Sequence, residues 1–270
     1  MQARTQGTAA LIHATALIDP AARISESAEI GPGCIIGAEV EVGPRTRLMA
    51  NIYCEGPTWI GADNTFFPYT TVGVAPQDKK YLGERAETRI GDRNSVREFV
   101  TIHRGTEGGG LLTRIGDDNL LMAYVHVAHD CLVGSHAILA NAVTLAGHVE
   151  VHDWASVGAF SGIHQFCRVG RHSFIGGYSV VTQDVMPYST TVADRDIGVF
   201  GANRVGLERR RISNEVIENL QTAFRFLTRA GLNTTQACAR IREELPESPE
   251  LAELLEFIAS SKRGVIKGKG

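Results

Sequence analysis

The chain lacks an excess of charge of either sign. Its 27 Lys and Arg nearly balance 30 Asp and Glu, giving a formal charge of −3 over 270 residues. No basic field is available to hold nucleic acid or an anionic membrane. No apolar run approaches the ~20 residues that span a bilayer, so membrane insertion is not expected. The opening MQARTQGTAALIHATALIDP is broken by Arg4, His13 and Asp19 and lacks the apolar core of an export signal. A cytoplasmic location is expected, with residues 1–10 as a flexible tail. Heptads are missing, as are a phosphate-binding G-x-x-x-x-G-K-[ST] loop, a G-x-G-x-x-G turn after a strand and a G-x-S-x-G elbow. The five cysteines are an odd count and read as packing residues rather than a disulfide framework.

Aromatics are few at 7%, whereas glycine is abundant at 29 residues. That balance favours short strands and tight turns. The organising feature is a period of six. Aliphatic or similar residues recur from Ile12 through Ile18, Ile24 and Ile30 to Val72, then at Ile90, Val96 and Ile102, then from Ile115 to Val181. The three runs hold 11, 3 and 12 positions. The fourth residue after each is small or β-branched, as at Ala28, Cys34, Val40 and Val143, or Asn at Asn64, Asn94 and Asn119. Two inward positions per hexad make one short strand and one corner, and three hexads make one triangular coil. No coil buries its inner face alone, so stacking supplies stability. Glycine after the aliphatic residue, as at Gly43 and Gly61, is expected to give corners their backbone freedom. At the three Asn positions a left-handed turn and side-chain amide bonding are expected.

Two segments interrupt the period, residues 73–89 and 103–114, and such loops in a regular solenoid are expected to serve function or an interface. After Val181 the register fades. A helical period follows, with Ser213, Thr234 and Ser248 as expected N-caps and Pro249 at a first helical position. The expected architecture is mainly β: a left-handed parallel β-helix of hexapeptide repeats over 11–200 with a C-terminal α-helical domain over 201–270.

Residues three hexads apart should stack on the outside. This places Tyr124, Ala142, Phe160 and Tyr178 in one column, Asp130, His148 and Phe166 in a second, and His136, Trp154 and His172 in a third. Apolar ladders of this size call for a partner, and a homotrimer is expected. His126, His129, His148, His152 and His164, five of the nine histidines, all fall within 39 residues. The stacking rule sets His148 over Asp130 and His129 beneath Gly147 and Gln165. An imidazole with a carboxylate to orient it can take a proton from a hydroxyl, and a glycine N–H can face a developing oxyanion. Direct attack without a covalent intermediate fits these parts. His126-x2-His129 also has the spacing of two zinc ligands, a weaker reading.

The motifs IGDRN-x2-RE-x2-TIHRGT (90–106), DNLLMAYVHVAHDC (118–131), LAGHVEVHD (145–153), IHQFCRVG (163–170) and QDVMPY (183–188) make the assignment sharper. Their ordered set resembles the UDP-N-acetylglucosamine O-acyltransferase family of hexapeptide-repeat β-helix enzymes, over nearly the whole chain. The resemblance implies transfer of an (R)-3-hydroxyacyl group from acyl carrier protein to the glucosamine 3-hydroxyl of UDP-N-acetylglucosamine, the first step of lipid A synthesis, with no cofactor and no metal. It implies His129 as general base, Asp130 polarising it, and Gly147 as oxyanion donor. Gln77, Asp78 and Lys80 would contact the sugar from a neighbouring subunit's loop, and His126, His148 and His164 would bind or position substrate. Gln165, Asn203, Arg209 and Arg210 would serve the uridine diphosphate end. Gly177 matches the position that rules acyl length. Val205 departs from an acidic residue common in the family, Met186 replaces a proline, and residues 189–200 match poorly. Arg209, Arg210, Arg211, Arg225, Arg229, Arg240 and Arg242 form a candidate docking face for the acidic carrier, against a plain solvated mixed-charge surface. Two other readings stand beside this one. A zinc-dependent hydratase on the same trimeric scaffold is disfavoured by the lack of a His-x4-His pair. An N-acyltransferase of the same pathway usually carries a further N-terminal domain.

Overall fold

The computed structural model describes residues 10–193 and 197–267. The expected tail falls almost wholly outside these residues, as do 194–196 within the poorly matching stretch and 268–270 at the C-terminus. The chain divides into two compact units, one ending at Cys131 and the other beginning at Leu132. Both are wound as a left-handed parallel β-helix. Right-handed crossovers dominate where long twisted strands must be rejoined. Here most strands are two residues long, too short to build up the twist behind that preference.

In the first unit three parallel sheets form the faces. They run from Leu11–Ile12 to Leu120–Leu121, from Leu17–Ile18 to His126–Val127, and from Arg23–Ile24 to Leu112–Ile115. The ordinary register pairs each residue with the one three hexads on, as Ile30 with Leu48. At the loops it stretches: Thr71 pairs with Thr101, and Thr101 pairs with His126. Both of these coils are longer than three hexads, and the extra length is extruded as loops that leave the stack unbroken. Both hexad positions are inside: Ile30, Cys34, Ile36, Val40, Val96, Val100 and Val125 are buried. Each such aliphatic side chain contributes roughly 1.5–3 kcal/mol. Ile12, with no coil beneath it among the described residues, stays 47% exposed.

The second unit continues the pattern to Val180–Val181. The register then persists where sequence reading loses it: Phe174 pairs with Thr190 in parallel, and Ser189–Ala193 turns back antiparallel on Ile197–Ala202. Four helices follow among the described residues: α1 (Arg204–Arg209), α2 (Asn214–Thr228), α3 (Thr234–Glu244) and α4 (Pro249–Ser260). Ser213 and Ser248 cap α2 and α4 as expected. Asn233 rather than Thr234 caps α3, in a capping box with Gln236. None of these helices is long and apolar enough to cross a membrane.

Two expectations about the corners are corrected. The left-handed residue is not the Asn but the one before it, Asp63, Arg93 and Asp118, and elsewhere Trp154, Phe160, Phe166 or Tyr178. The conformation costs a non-glycine residue roughly 1–2 kcal/mol. Two gains offset it. The corner N–H donates to the coil before it, as from Trp154 to Ser135 (2.9 Å) and from Tyr178 to Ala159 (2.8 Å). The side chains also stack, Phe160 on Tyr178 with centroids 5.1 Å apart. The Asn side chains instead point inward and form an amide ladder, with Asn94 Nδ2 donating to Asn64 Oδ1 (3.0 Å) and Asn119 N–H donating to Asn94 Oδ1 (2.9 Å). The second correction concerns Gly43 and Gly61. Neither has positive φ. A β-carbon on Gly43 would lie 2.5 Å from the Gly61 carbonyl oxygen, and one on Gly61 would lie 2.7 Å from that of Gly91. Close stacking, not turn freedom, selects glycine there.

Candidate functional site

The first unit carries a histidine cluster where the two loops leave the stack. His129 and Asp130 follow the strand His126–Val127. Asp130 sits at a left-handed corner, φ 59°, which turns its carboxylate back beside the preceding imidazole. His129 Nδ1 donates to Asp130 Oδ2 at 2.8 Å. This bond puts the ring proton on Nδ1 and the lone pair on Nε2, the tautomer of a general base. His129 is 15% exposed, and the Asp130 side chain is wholly buried.

Asp130 is covered because residues 103–114 fold over it. Thr106 donates its N–H to Oδ1 (2.8 Å) and its hydroxyl to Oδ2 (2.6 Å). The Thr113 hydroxyl accepts the Asp130 N–H at 2.8 Å. Hexad counting gives Asp130 an outward slot, and the inserted loop covers it there.

His126 is joined to the Thr101 hydroxyl through Nδ1 at 2.7 Å. Its ring lies edge-on to His103, with centroids 5.1 Å apart. His103 Nδ1 donates to the carbonyl of Ala75, at the start of the first loop, at 2.7 Å. Burial, reinforced by the charges of His103 and His129, pushes His126 down to about 4. Burial also lowers His103. Both are neutral rings at neutral pH, able to donate or accept hydrogen bonds without repelling a cation. Sequence reasoning missed His103. Its signal was a bulky ring at a hexad position that Gly73 and Ala128 occupy in the neighbouring coils.

The first loop holds Gln77, Asp78 and Lys80. Gln77 and Lys80 are exposed and Asp78 is half-buried. Asp78 Oδ1 accepts the Lys80 N–H at 2.9 Å, a local turn that fixes the two relative to each other. The loops are tied together by Glu84, whose carboxylate accepts the N–H of Leu82 and that of Glu107. Its own N–H first, and then these two donors, hold its carboxyl below the usual range.

In the second unit, Gly147, His148, His164 and Gln165 lie on successive coils. The Gly147 carbonyl accepts the Phe166 N–H at 3.2 Å, and the His148 ring stacks on Phe166 at 4.4 Å. His164 Nδ1 donates to the Gln165 carbonyl at 3.1 Å. His152, the fifth clustered histidine, faces elsewhere, edge-on to Phe257 of α4. Gly177 is exposed, and a β-carbon there would meet the Ala159 carbonyl oxygen at 3.1 Å. Asn203 caps α1 through Oδ1, accepting the Gly206 N–H at 3.2 Å, while its Nδ2 donates to the His172 carbonyl at 3.0 Å. Arg209 is the last residue of α1. The Arg210 guanidinium lies 3.9 Å over the Trp154 ring, and burial lowers its pKa.

Known proteins share this arrangement of coils and helices. A family model described as UDP N-acetylglucosamine O-acyltransferase, domain 2, matches residues 184–266. A bacterial transferase hexapeptide model of six repeats matches residues 112–147. A protein of Thermodesulfovibrio yellowstonii named acyl-(acyl-carrier-protein)-UDP-N-acetylglucosamine O-acyltransferase is 48% identical over 256 residues, 95% of this chain and 99% of its own. A protein of the same name from Janthinobacterium sp. (strain Marseille) is 44% identical over 261 residues, covering 95% and 99%. The solved UDP-N-acetylglucosamine acyltransferase of Bacteroides fragilis superposes with a TM-score of 0.93 at 41% identity, over 95% of this chain and 100% of that one.

Proposed function

Because the chain belongs to the acyl-(acyl-carrier-protein)-UDP-N-acetylglucosamine O-acyltransferase family, we propose that it moves a 3-hydroxyacyl group from the carrier's thioester to the glucosamine 3-hydroxyl of UDP-N-acetylglucosamine, opening lipid A synthesis. The observation that carries the chemistry is the His129–Asp130 pair, with its tautomer set by a 2.8 Å bond.

His129 Nε2 takes the proton of the sugar 3-hydroxyl as its oxygen attacks the thioester carbonyl. The tetrahedral oxyanion is met by the peptide N–H of Gly147. Collapse breaks the C–S bond, and the imidazolium returns its proton to the departing carrier thiolate. Asp130 stabilises the imidazolium without taking the proton. No covalent acyl-enzyme forms. His126, His148 and His164 position the acceptor, with Gln77, Asp78 and Lys80 on the sugar. Gln165, Asn203, Arg209 and Arg210 serve the uridine diphosphate. Asn203 contributes through its placement of α1, since its amide is engaged in the cap. Gly177 leaves room for a longer acyl chain.

The working form is a homotrimer in the cytoplasm. Support comes from the exposed aromatic columns, Tyr69–Phe99–Tyr124 in one unit and Phe160–Tyr178 in the other, all more than 40% exposed in the single chain. The carrier docks on the arginines of the helices. Arg240 is held by Glu244 and Arg210 lies over Trp154, which leaves the exposed Arg209, Arg211, Arg225, Arg229 and Arg242 to receive it.

Incubation with UDP-N-acetylglucosamine and a panel of acylated carriers, read by mass spectrometry, tests the reading. The expected product is the 3-O-acyl nucleotide sugar. An amide product formed only with a 3-amino sugar, or no transfer from any carrier, overturns it.

A further inference from the structure

The catalytic loop does more than close off Asp130. A single residue of it, Thr106, grips both oxygens of the carboxylate that orients His129. Its N–H meets Oδ1 at 2.8 Å and its hydroxyl meets Oδ2 at 2.6 Å. Oδ2 is also the oxygen that accepts from His129 Nδ1 at 2.8 Å. The torsion that turns a carboxylate about its own axis is soft and nearly two-fold. With neither oxygen fixed, the carboxylate could swing and the His129 Nδ1–H would lose its in-line acceptor. With both fixed by one residue, the plane of the carboxylate is set.

We infer that Thr106 is a positioning residue for the reaction, holding Asp130 so that His129 keeps its Nε2 lone pair aimed at the acceptor hydroxyl. The inference rests on the reading of His129 as general base. Thr106 is 6% exposed and reaches the base through Asp130. Three further features agree with a built clamp. Thr106 also accepts at its carbonyl from the N–H groups of Gly109 and Leu111, at 3.0 and 2.9 Å, so its backbone is fixed on both sides. A β-carbon on Gly105 would lie 2.9 Å from Oδ1, so the chain just before the clamp is pressed on the same carboxylate. Thr113 holds the Asp130 N–H from the strand that follows. A loop serving only to connect two coils needs no hydroxyl at this point.

The test is steady-state kinetics on the full-length enzyme with UDP-N-acetylglucosamine and an acylated carrier. Thr106→Val keeps the N–H bond and the side-chain volume and removes only the hydroxyl. It is expected to lower kcat about 10- to 100-fold, with KM for the nucleotide sugar changed less than about threefold and the melting temperature held. Thr106→Ser is expected to restore most of kcat. In an Asp130→Asn background, Thr106→Val is expected to add little, because the clamp acts only through that carboxylate. Retention of more than half of the wild-type kcat by Thr106→Val overturns the inference. So does an equal proportional loss in the Asp130→Asn background, and so does a Ser variant as slow as the Val variant. Full activity of His129→Ala instead removes the base assignment itself. An inactive His129→Ala beside a fully active Thr106→Val removes only the positioning role.

Discussion

Gly109 lies against the carboxylate of Asp130 with no room for a methyl group: a β-carbon on Gly109 would fall 1.9 Å from Cγ and 2.3 Å from each oxygen. Its backbone is in a short 3-10 turn, Glu107–Gly109, with no positive φ, so alanine is excluded by contact alone. Asp130 cannot yield cheaply, since both oxygens are already bonded. Gly109→Ala is expected to displace the loop or the carboxylate and lower kcat on the order of 10²-fold, as misplacement of a catalytic group does. Gly108→Ala, with open space around its β-carbon, is the control and is expected to keep activity. Equal rates for the two variants in a carrier-dependent assay would show that the contact does not matter.

Much of the stack was legible because a period of six with two inward slots can be satisfied in few ways. Val96, Val100 and Ile102 are buried as the pattern requires. His126 and His129 stood out for the same reason, as histidines in an aliphatic array. What the period does not encode is the path of an insertion. The segment added between Thr101 and His126 carries Thr106 onto Asp130, and no spacing rule announces that. His103 was hidden at the strand end where that insertion begins. The corner conformation was misplaced by one residue because glycine and asparagine are the usual left-handed residues. Here stacking lets Trp154 and Phe160 take the position, and the amide of Asn94 is used inside.

Acid should weaken the fold before it protonates the carboxylates. His126 and His172 are each pushed down to about 4, mainly by burial, and His103 is lowered too. In the unfolded chain they return to ~6.5. Between these values the unfolded state binds more protons, so stability is full above about pH 7 and falls as pH drops toward 4. The loss amounts to at most a few kcal/mol after allowing for partial solvent contact. Urea unfolding at pH 7.5 and 5.0 checks this, and His172→Phe should flatten the difference. A midpoint independent of pH over that range would contradict it.

Asn94 tests the internal ladder. Its Nδ2 donates to Asn64 Oδ1 (3.0 Å) and to the Gly116 carbonyl (2.9 Å), and its Oδ1 accepts the Asn119 N–H (2.9 Å). All three asparagines are at most 2% exposed. Asn94→Ala removes these bonds from a buried interior and leaves a void. A loss of about 2–4 kcal/mol is expected, measured by denaturant titration of the purified protein. A loss below about 1 kcal/mol would mean that water replaces the amide.

Arg168 and Asp184 join the last coils to the C-terminal helices. Asp184 is 1% exposed. Its Oδ2 receives Arg168 Nε at 2.9 Å and the Ser261 hydroxyl at 2.8 Å, and its Oδ1 receives the Arg168 N–H at 2.8 Å. The same guanidinium stacks 4.3 Å over Phe257 of α4 and donates to its carbonyl at 3.2 Å. Asp184→Ala leaves a mostly buried cation without its acceptor, a change that costs about 3–5 kcal/mol. The cost should fall first on α4 and the segment after it, which also bonds to the Asp184 backbone through Ile266. Limited proteolysis of Asp184→Ala is therefore expected to cut near α4 while the coils stay intact, and the paired variant Arg168→Ala/Asp184→Ala should be less destabilised than the two single losses added together. Additive losses would show that the two side chains act separately and that Phe257, through its own packing, holds the helix.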